Sequence, residues 1–146
     1  MTGTTAEPPQ AILYLRSASG HQADRDMAIV AQQHVCAWRA HELQAPVVGE
    51  YVDFGSGLTT ERPGVSDLIR RLRELRQATR HCIYVIAADH ARIGQSVQAY
   101  SHVSYAIEQA GGWLIIASVP QIQYDALTRR ATRKASPLMH PDDDNQ

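Results

Sequence analysis

The feature that most constrains this chain is an alternation. Short apolar runs, each too brief for a helix, are separated by longer stretches whose apolar residues recur three and four apart. "AILYL" (Ala11–Leu15), behind Pro8-Pro9, reads as a buried strand. From Asp24 to Leu43, Met27, Val30, Ala31, Val35, Trp38 and Ala40 follow helical spacing, with Asp24 as the expected N-cap. "PVVGEYVDFGSG" returns to strand character and dissolves at Gly55–Gly57 into a loop. Beyond Arg62-Pro63-Gly64 a second helix is expected, capped by Ser66 and carrying Val65, Leu68, Ile69, Leu72 and Leu75. Its arginine-rich face reads as a solvated surface. "CIYVIAAD" (Cys82–Asp89) is the most strand-like run of all. A third helix, about Ser96 to Gln109, is closed by Gly111-Gly112, and "WLIIAS" (Trp113–Ser118) is the last clear strand.

Strands alternating with helices predict a three-layer α/β domain. It has a mostly parallel sheet of about four to five strands and helices on both faces. The expected organisation is a disordered N-terminus over 1–10, the α/β domain over 11–118, and an irregular segment with an acidic tail over 119–146. At 146 residues the chain is one domain in size. No apolar run approaches the roughly 18 residues of a membrane span, and "MTGTTAEPPQ" lacks the pattern of a signal peptide. Cys36 and Cys82 fit neither a redox nor a metal spacing. A reduced, cytoplasmic protein without membrane contact is therefore expected. His34 and His41, seven apart on one helix, have no acid or cysteine to complete a metal site, so no metal and no cofactor is expected. Trp38 and Trp113 are expected as core anchors.

The formal net charge is -1, which argues against an autonomous high-affinity nucleic-acid binder. The positive charge is nearly all arginine, Lys134 being the only lysine. Arginine offers a planar fork suited to phosphate or carboxylate. In doubly wound sheets, ligands sit beyond the carboxyl ends of the strands. Here those ends are "RSAS", "DFGSG" and "ADHARIG".

Taken in order, these three loops resemble the catalytic domain of the serine recombinases, the resolvase/invertase family. The carrying residues are Tyr14-Leu15-Arg16 with Gln22, then Gln32 and Cys36, then Asp53-Phe54-Gly55-Ser56-Gly57, Arg62-Pro63-Gly64 and Asp89-His90-Ala91-Arg92-Ile93-Gly94. The likeness runs from about Ala11 to Ser118, and Pro137-Leu138-Met139 resembles the start of the family's long dimer helix. The resemblance implies a serine hydroxyl that attacks a DNA phosphodiester, forming a phosphoserine link, with arginines rather than a metal around the phosphate oxygens. On that basis Arg16 and Arg62 clamp the phosphate, while Gln22 and Ser56 organise the loop. Asp89 orients an arginine or moves a proton, and Arg92 stands in for an arginine of the last motif. Ser17, Asp53, Gly57 and His90 complete the support of the phosphate loop.

The match breaks at the nucleophile. Two residues beyond the first arginine the family places its serine; here that position is Ala18. Ser17 and Ser19 are each one residue out of register. Neighbours in an extended segment point to opposite faces, about 3.3 Å apart, so Ser17 is expected to face away from Arg16. Ser19, beside Gly20, is the candidate substitute. The last motif is altered too, with His90 and Ile93 at its two arginine positions. The resemblance therefore implies a recombinase-type catalytic domain associated with DNA strand exchange and impaired at its nucleophile. The alternative is a non-catalytic interaction or regulatory protein on the same fold. Expected partners are the DNA phosphate backbone, weakly and without specificity, and a second copy or a full-length recombinase. "TRRATRKAS" offers four positive side chains for such a backbone contact.

Overall fold

The computed structural model describes residues 7–18, 21–55 and 62–119. Within them the elements run β1 (Gln10–Ser17), α1 (Gln22–Glu42), β2 (Val47–Phe54), α2 (Pro63–Ala78), β3 (Ile83–Ala87), α3 (His90–Ile93), α4 (Val97–Gln109) and β4 (Gly112–Ile116). The four strands form one sheet in the order β2-β1-β3-β4, every pairing parallel. This is the expected α/β class. Of the segments expected to be disordered (1–10) and irregular (119–146), residues 1–6 and 120–146 lie outside the described residues, and Gln10 already opens β1.

Strand β1 lies between two neighbours and is buried on both faces, which explains its unbroken apolar run. Its side chains divide by parity. Ile12 and Tyr14 join Leu68, Leu72 and Leu75 of α2, Val85 of β3 and Val103 and Ile107 of α4 in one core layer. Ala11, Leu13 and Leu15 join Cys36 and Ala40 of α1, Ile86 and Ile115 in the other. Helix α1 thus covers one face, and α2 and α4 cover the other. Each fully buried aliphatic side chain in these layers contributes about 1.5–3 kcal/mol over an exposed one.

Helix ends depart from the sequence reading in instructive ways. Helix α1 begins at Gln22 with His21 at its N-cap; Asp24 sits in its first turn, where a carboxylate still favours the helix dipole. Helix α2 begins four residues before the region Ser66 was expected to cap: Arg62 is the N-cap and Pro63 takes the first helical position, whose missing N–H costs nothing. The short helix α3 has no apolar period and was not expected; the Asp89 side chain accepts from the Arg92 N–H and holds it. Ser96 does cap α4, accepting from the Ala99 N–H at 3.0 Å. Gly111, at φ 92°, makes the left-handed turn after α4 that only glycine adopts without strain.

Both tryptophans leave the core. Trp38 is 66% exposed and Trp113 43% exposed. Trp38 lies on the face of α1 opposite Cys36 and Ala40, because the helix packs through Ile29, Gln32, Cys36, Arg39 and Ala40. Trp113 lies on β4, which among the described residues is an edge strand of the sheet.

The two thiols are correspondingly unlike. Burial, with the Asp89 and Glu50 charges adding to it, pushes the Cys36 thiol up to about 12, whereas Cys82 is exposed. A raised thiol pKa favours the neutral folded form. That contribution is complete below the ordinary value of 9.0 and is lost as pH rises towards about 12. At pH 8 a thiol reagent should label one cysteine, Cys82, in the native chain and two after unfolding in urea. Rapid native labelling of Cys36 would contradict this packing.

Candidate active site

The carboxyl ends of β1, β2 and β3 converge on α3 and the start of α2. Arg16 extends β1 on the α2 side of the sheet and is 1% exposed; Arg62, the α2 N-cap, is 6% exposed. Both guanidinium groups reach the same backbone. Arg16 donates through Nη2 to the Ala91 carbonyl at 2.9 Å, through Nε to the Arg92 carbonyl at 3.4 Å, and through Nη1 to the Gly55 carbonyl. Arg62 donates through Nη2 to the Arg92 carbonyl at 2.6 Å and through Nη1 to the Ile93 carbonyl. The carbonyls of α3 have no continuing helix to donate N–H groups to them, so they are ready acceptors for buried arginine. The two arginines thus lie on one side of the sheet, as the carry-over requires, with these donors committed to main chain.

A second network locks the same corner. Arg62 donates from Nε (3.1 Å) and Nη2 (2.5 Å) to the Tyr14 hydroxyl, which donates onward to Asp53 Oδ2 at 2.8 Å. The Asp53 carboxylate then receives the Gly64 N–H at 2.7 Å and the Val65 N–H at 3.1 Å. Asp53 therefore caps α2 from another strand, placing negative charge on the positive end of the helix. Gly64 permits the approach: a Cβ there would stand 2.8 Å from the Val52 carbonyl oxygen and 2.9 Å from the Asp53 carboxylate. Burial first, and the Asp53 carboxylate next to it, hold the Tyr14 hydroxyl well above its ordinary value near 10, against the opposing pull of Arg62. Burial, then the Arg62 charge, pull Arg16 below the usual arginine value.

The remaining expected residues distribute around this corner. Asp89 caps α3 and stands 3.5 Å from Arg92 Nε, whose Nη1 donates to the Arg16 carbonyl at 3.1 Å. His90 is exposed and stacks obliquely on Tyr100, with ring centroids 5.4 Å apart. Gln22 is the exposed first residue of α1. Ser17 is 2% exposed and, by the strand's alternation, on the α1 side, away from Arg16; its carbonyl accepts the Gly55 N–H at 2.9 Å. Ala18, just past the strand, is exposed. Ser19, Ser56 and Gly57 lie outside the described residues.

Gln32 is the residue whose part the sequence reading left blank. Buried in α1, its amide accepts from the Arg16 N–H at 3.0 Å and donates to the Arg16 carbonyl at 2.8 Å. It clips the last turn of β1 just before Ala18. A glutamine in line with Cys36, Arg39 and Leu43 on the packing face was the available signal.

Among the described residues no group of three or more histidine, cysteine, aspartate or glutamate side chains is arranged to hold a metal ion, and no helix is long and apolar enough to cross a membrane.

A four-stranded parallel sheet with an arginine-lined corner at its carboxyl edge is the architecture of a resolvase-like catalytic domain. Residues 11–135 match the family model "Resolvase, N terminal domain", and the chain belongs to that family. Among solved structures it is similar to the N-terminal catalytic domain of TP901-1 integrase, with a TM-score of 0.62 and 21% identity over 86% of this chain and 94% of that one. It is likewise similar to the C-terminal catalytic domain of ISC1926 TnpA, an IS607-like serine recombinase, with a TM-score of 0.60 and 18% identity over 84% and 78% of the two chains. A resolvase family site-specific recombinase from Streptococcus pneumoniae superposes with a TM-score of 0.59 at 15% identity, over 87% and 88%. At these identities the likeness concerns the fold. No curated protein matches the chain.

The network makes a stability prediction. Tyr14→Phe leaves Arg62 N–H groups and an Asp53 oxygen buried without their shared partner, and should cost about 1–3 kcal/mol by urea unfolding. Asp53→Ala also uncaps α2 and should cost more; the double variant should be non-additive, since the two groups touch. A folded-state tyrosine pKa above 10 means wild-type stability is complete below pH 10 and falls as pH rises beyond it. The Phe variant should show a shallower alkaline loss than wild type.

Proposed function

We propose that this chain is a recombinase-type catalytic domain, associated with DNA strand exchange, in which phosphoryl transfer is impaired. The observation that carries the reading is the state of the corner itself. Arg16 and Arg62 direct guanidinium donors into the carbonyls of α3, and the strand they flank ends in Ala18. In the family's reaction a serine hydroxyl attacks the phosphorus and the deoxyribose oxygen leaves. Arginine donors neutralise the equatorial oxygens. Here an alanine stands where that hydroxyl is needed, and a one-residue shift to Ser17 turns the side chain to the other face of the sheet. A misplacement of 1 Å can already cost about a hundredfold in rate. Each transition-state donor turned to main chain removes about 3 kcal/mol more.

Ser19, next to Gly20 in the sequence, is our candidate for any residual attack. Gln22, Ser56 and Gly57 would shape the phosphate loop around it, with Asp53 anchoring that loop to α2 and Asp89, His90 and Arg92 closing its far side. A second reading, a non-catalytic interaction or regulatory protein on the recombinase fold, draws on the same closed corner. A domain whose site arginines serve as internal staples keeps its shape without needing substrate.

The test is incubation with supercoiled DNA, scoring covalent protein–DNA adducts for wild type, Ser17→Ala and Ser19→Ala. We expect no recombination and at most slow nicking that disappears in Ser19→Ala. An adduct that forms readily and survives Ser19→Ala would overturn the proposal. Retention on DNA should be non-specific. With four phosphate contacts it should weaken about a hundredfold between about 50 and 200 mM salt. To separate the two readings, the chain is titrated into a cleavage reaction run by an active recombinase. A change in that rate without any adduct on this chain favours the regulatory role.

A further inference from the structure

Helix α1 is apolar on two faces. One packs on the sheet; the other carries Met27, Val30, Val35 and Trp38, which are 73%, 49%, 45% and 66% exposed. Residues 27, 31, 34 and 38 fall within one narrow sector of a 3.6-residue helix, so Met27, Ala31, His34 and Trp38 form a continuous stripe diametrically opposite Cys36. A stripe of this kind on a surface helix marks a contact.

Three observations say what covers it. The first is where the chain goes. After β4, Arg39 of α1 grips the departing backbone, donating from Nη2 to the Ala117 carbonyl at 2.8 Å and the Val119 carbonyl at 2.5 Å. Val119, the last described residue, is therefore held against the end of α1 that carries Trp38. A groove of about 390 Å3 opens at that point, lined by His34, Val35, Trp38, Arg39, Glu42 and Ala117. The second is an unmatched donor: Arg39 is 7% exposed, yet its Nε has no hydrogen-bond acceptor among the described residues. The third is charge order. From the groove the stripe runs back to the N-terminal end of α1, where Asp24 and Asp26 are exposed. The sequence beyond Val119 has the matching order, first apolar (Ile122, Tyr124, Leu127), then basic (Arg129, Arg130, Arg133, Lys134). Fourteen residues of helix separate Trp38 from Asp24, about 21 Å at 1.5 Å each. Residues 120–134 have fourteen steps of their own, about 21 Å even at helical rise, enough to match that distance.

We infer that residues 120–134 of the same chain dock along the outer face of α1, antiparallel to it. Ile122, Tyr124 and Leu127 lie on the Trp38–Met27 stripe, and the basic cluster lies against Asp24 and Asp26. The segment supplies a main-chain acceptor for Arg39 Nε as it crosses the groove. Its docking draws the basic cluster away from free solution, which rests on no reading of the active site.

Lys134 is the only lysine, which makes a direct test possible on the full chain. A zero-length carbodiimide should join Lys134 to Asp24 or Asp26 within a monomer, identified by peptide mass. A Lys134 that couples only to Asp142–Asp144, or to α1 only in a covalent dimer, would overturn the inference. The second measurement is acrylamide quenching of Trp38 in a Trp113→Phe chain. We expect quenching several-fold weaker than in urea, independent of protein concentration, and restored towards the unfolded value by Ile122→Asp with Leu127→Asp. Trp38 quenched as freely as in urea would refute docking, and protection that rises with concentration would assign the stripe to a second copy instead. Neither readout depends on DNA cleavage, so failure here leaves the proposed function standing, and the reverse.

Discussion

The Tyr14 hydroxyl is the point through which three elements are joined. It accepts from Arg62 at the start of α2 and donates to Asp53 at the end of β2, while its own ring lies in the core beneath α2. Because all three groups are buried, each is costly without the others. Asp53 in turn caps α2, and Arg62 reaches across to the carbonyls of α3. The sheet's carboxyl edge, the start of α2 and the short α3 are thereby held as one rigid corner. The geometry of Tyr14, Asp53 and Arg62 is set by that corner.

The corner also shows what these arginines do for the fold itself. In a site built to stabilise charge developing on a phosphate, arginine donors aim at the place the charge will occupy. Here Arg16, Arg62 and Arg92 all donate to main-chain carbonyls of their neighbours. Burial, then the Arg62 and Arg92 charges, act against the Arg16 cation, and the Asp89 carboxylate opposes them. The same residue types serve as structure once nothing displaces them.

Much of the architecture was legible in the chain itself. Parity along Ala11–Ser17 and helical spacing in α2 and α4 correspond to the two core layers, and Ser96 and Gly111 mark the ends of α4 where local chemistry requires them. The site was legible as a set of loops, since Arg16, Asp53, Arg62 and Asp89 all lie at the sheet's carboxyl edge. What misled was size. Met27, Val30, Val35 and Trp38 are larger than Cys36 and Ala40 and dominate any periodicity count. Yet α1 lays on the sheet the face that carries Ile29, Gln32, Cys36, Arg39 and Ala40.

Sequence alone thus determined the α/β class, the strand order of events along the chain, and the absence of a serine two residues beyond Arg16. Those are properties of local spacing and of covalent identity. Tertiary structure alone decided that Asp53 caps a helix eleven residues further on, that Gln32 clips the strand end, and that Arg16 and Arg62 turn inward to α3. Each of these depends on which carbonyls and amides are left without partners when separate elements meet. No pattern within a single element records that. The exposed side of α1 belongs to the same class of fact, for which face of a doubly apolar helix is buried is settled by the shape of the surface it lands on.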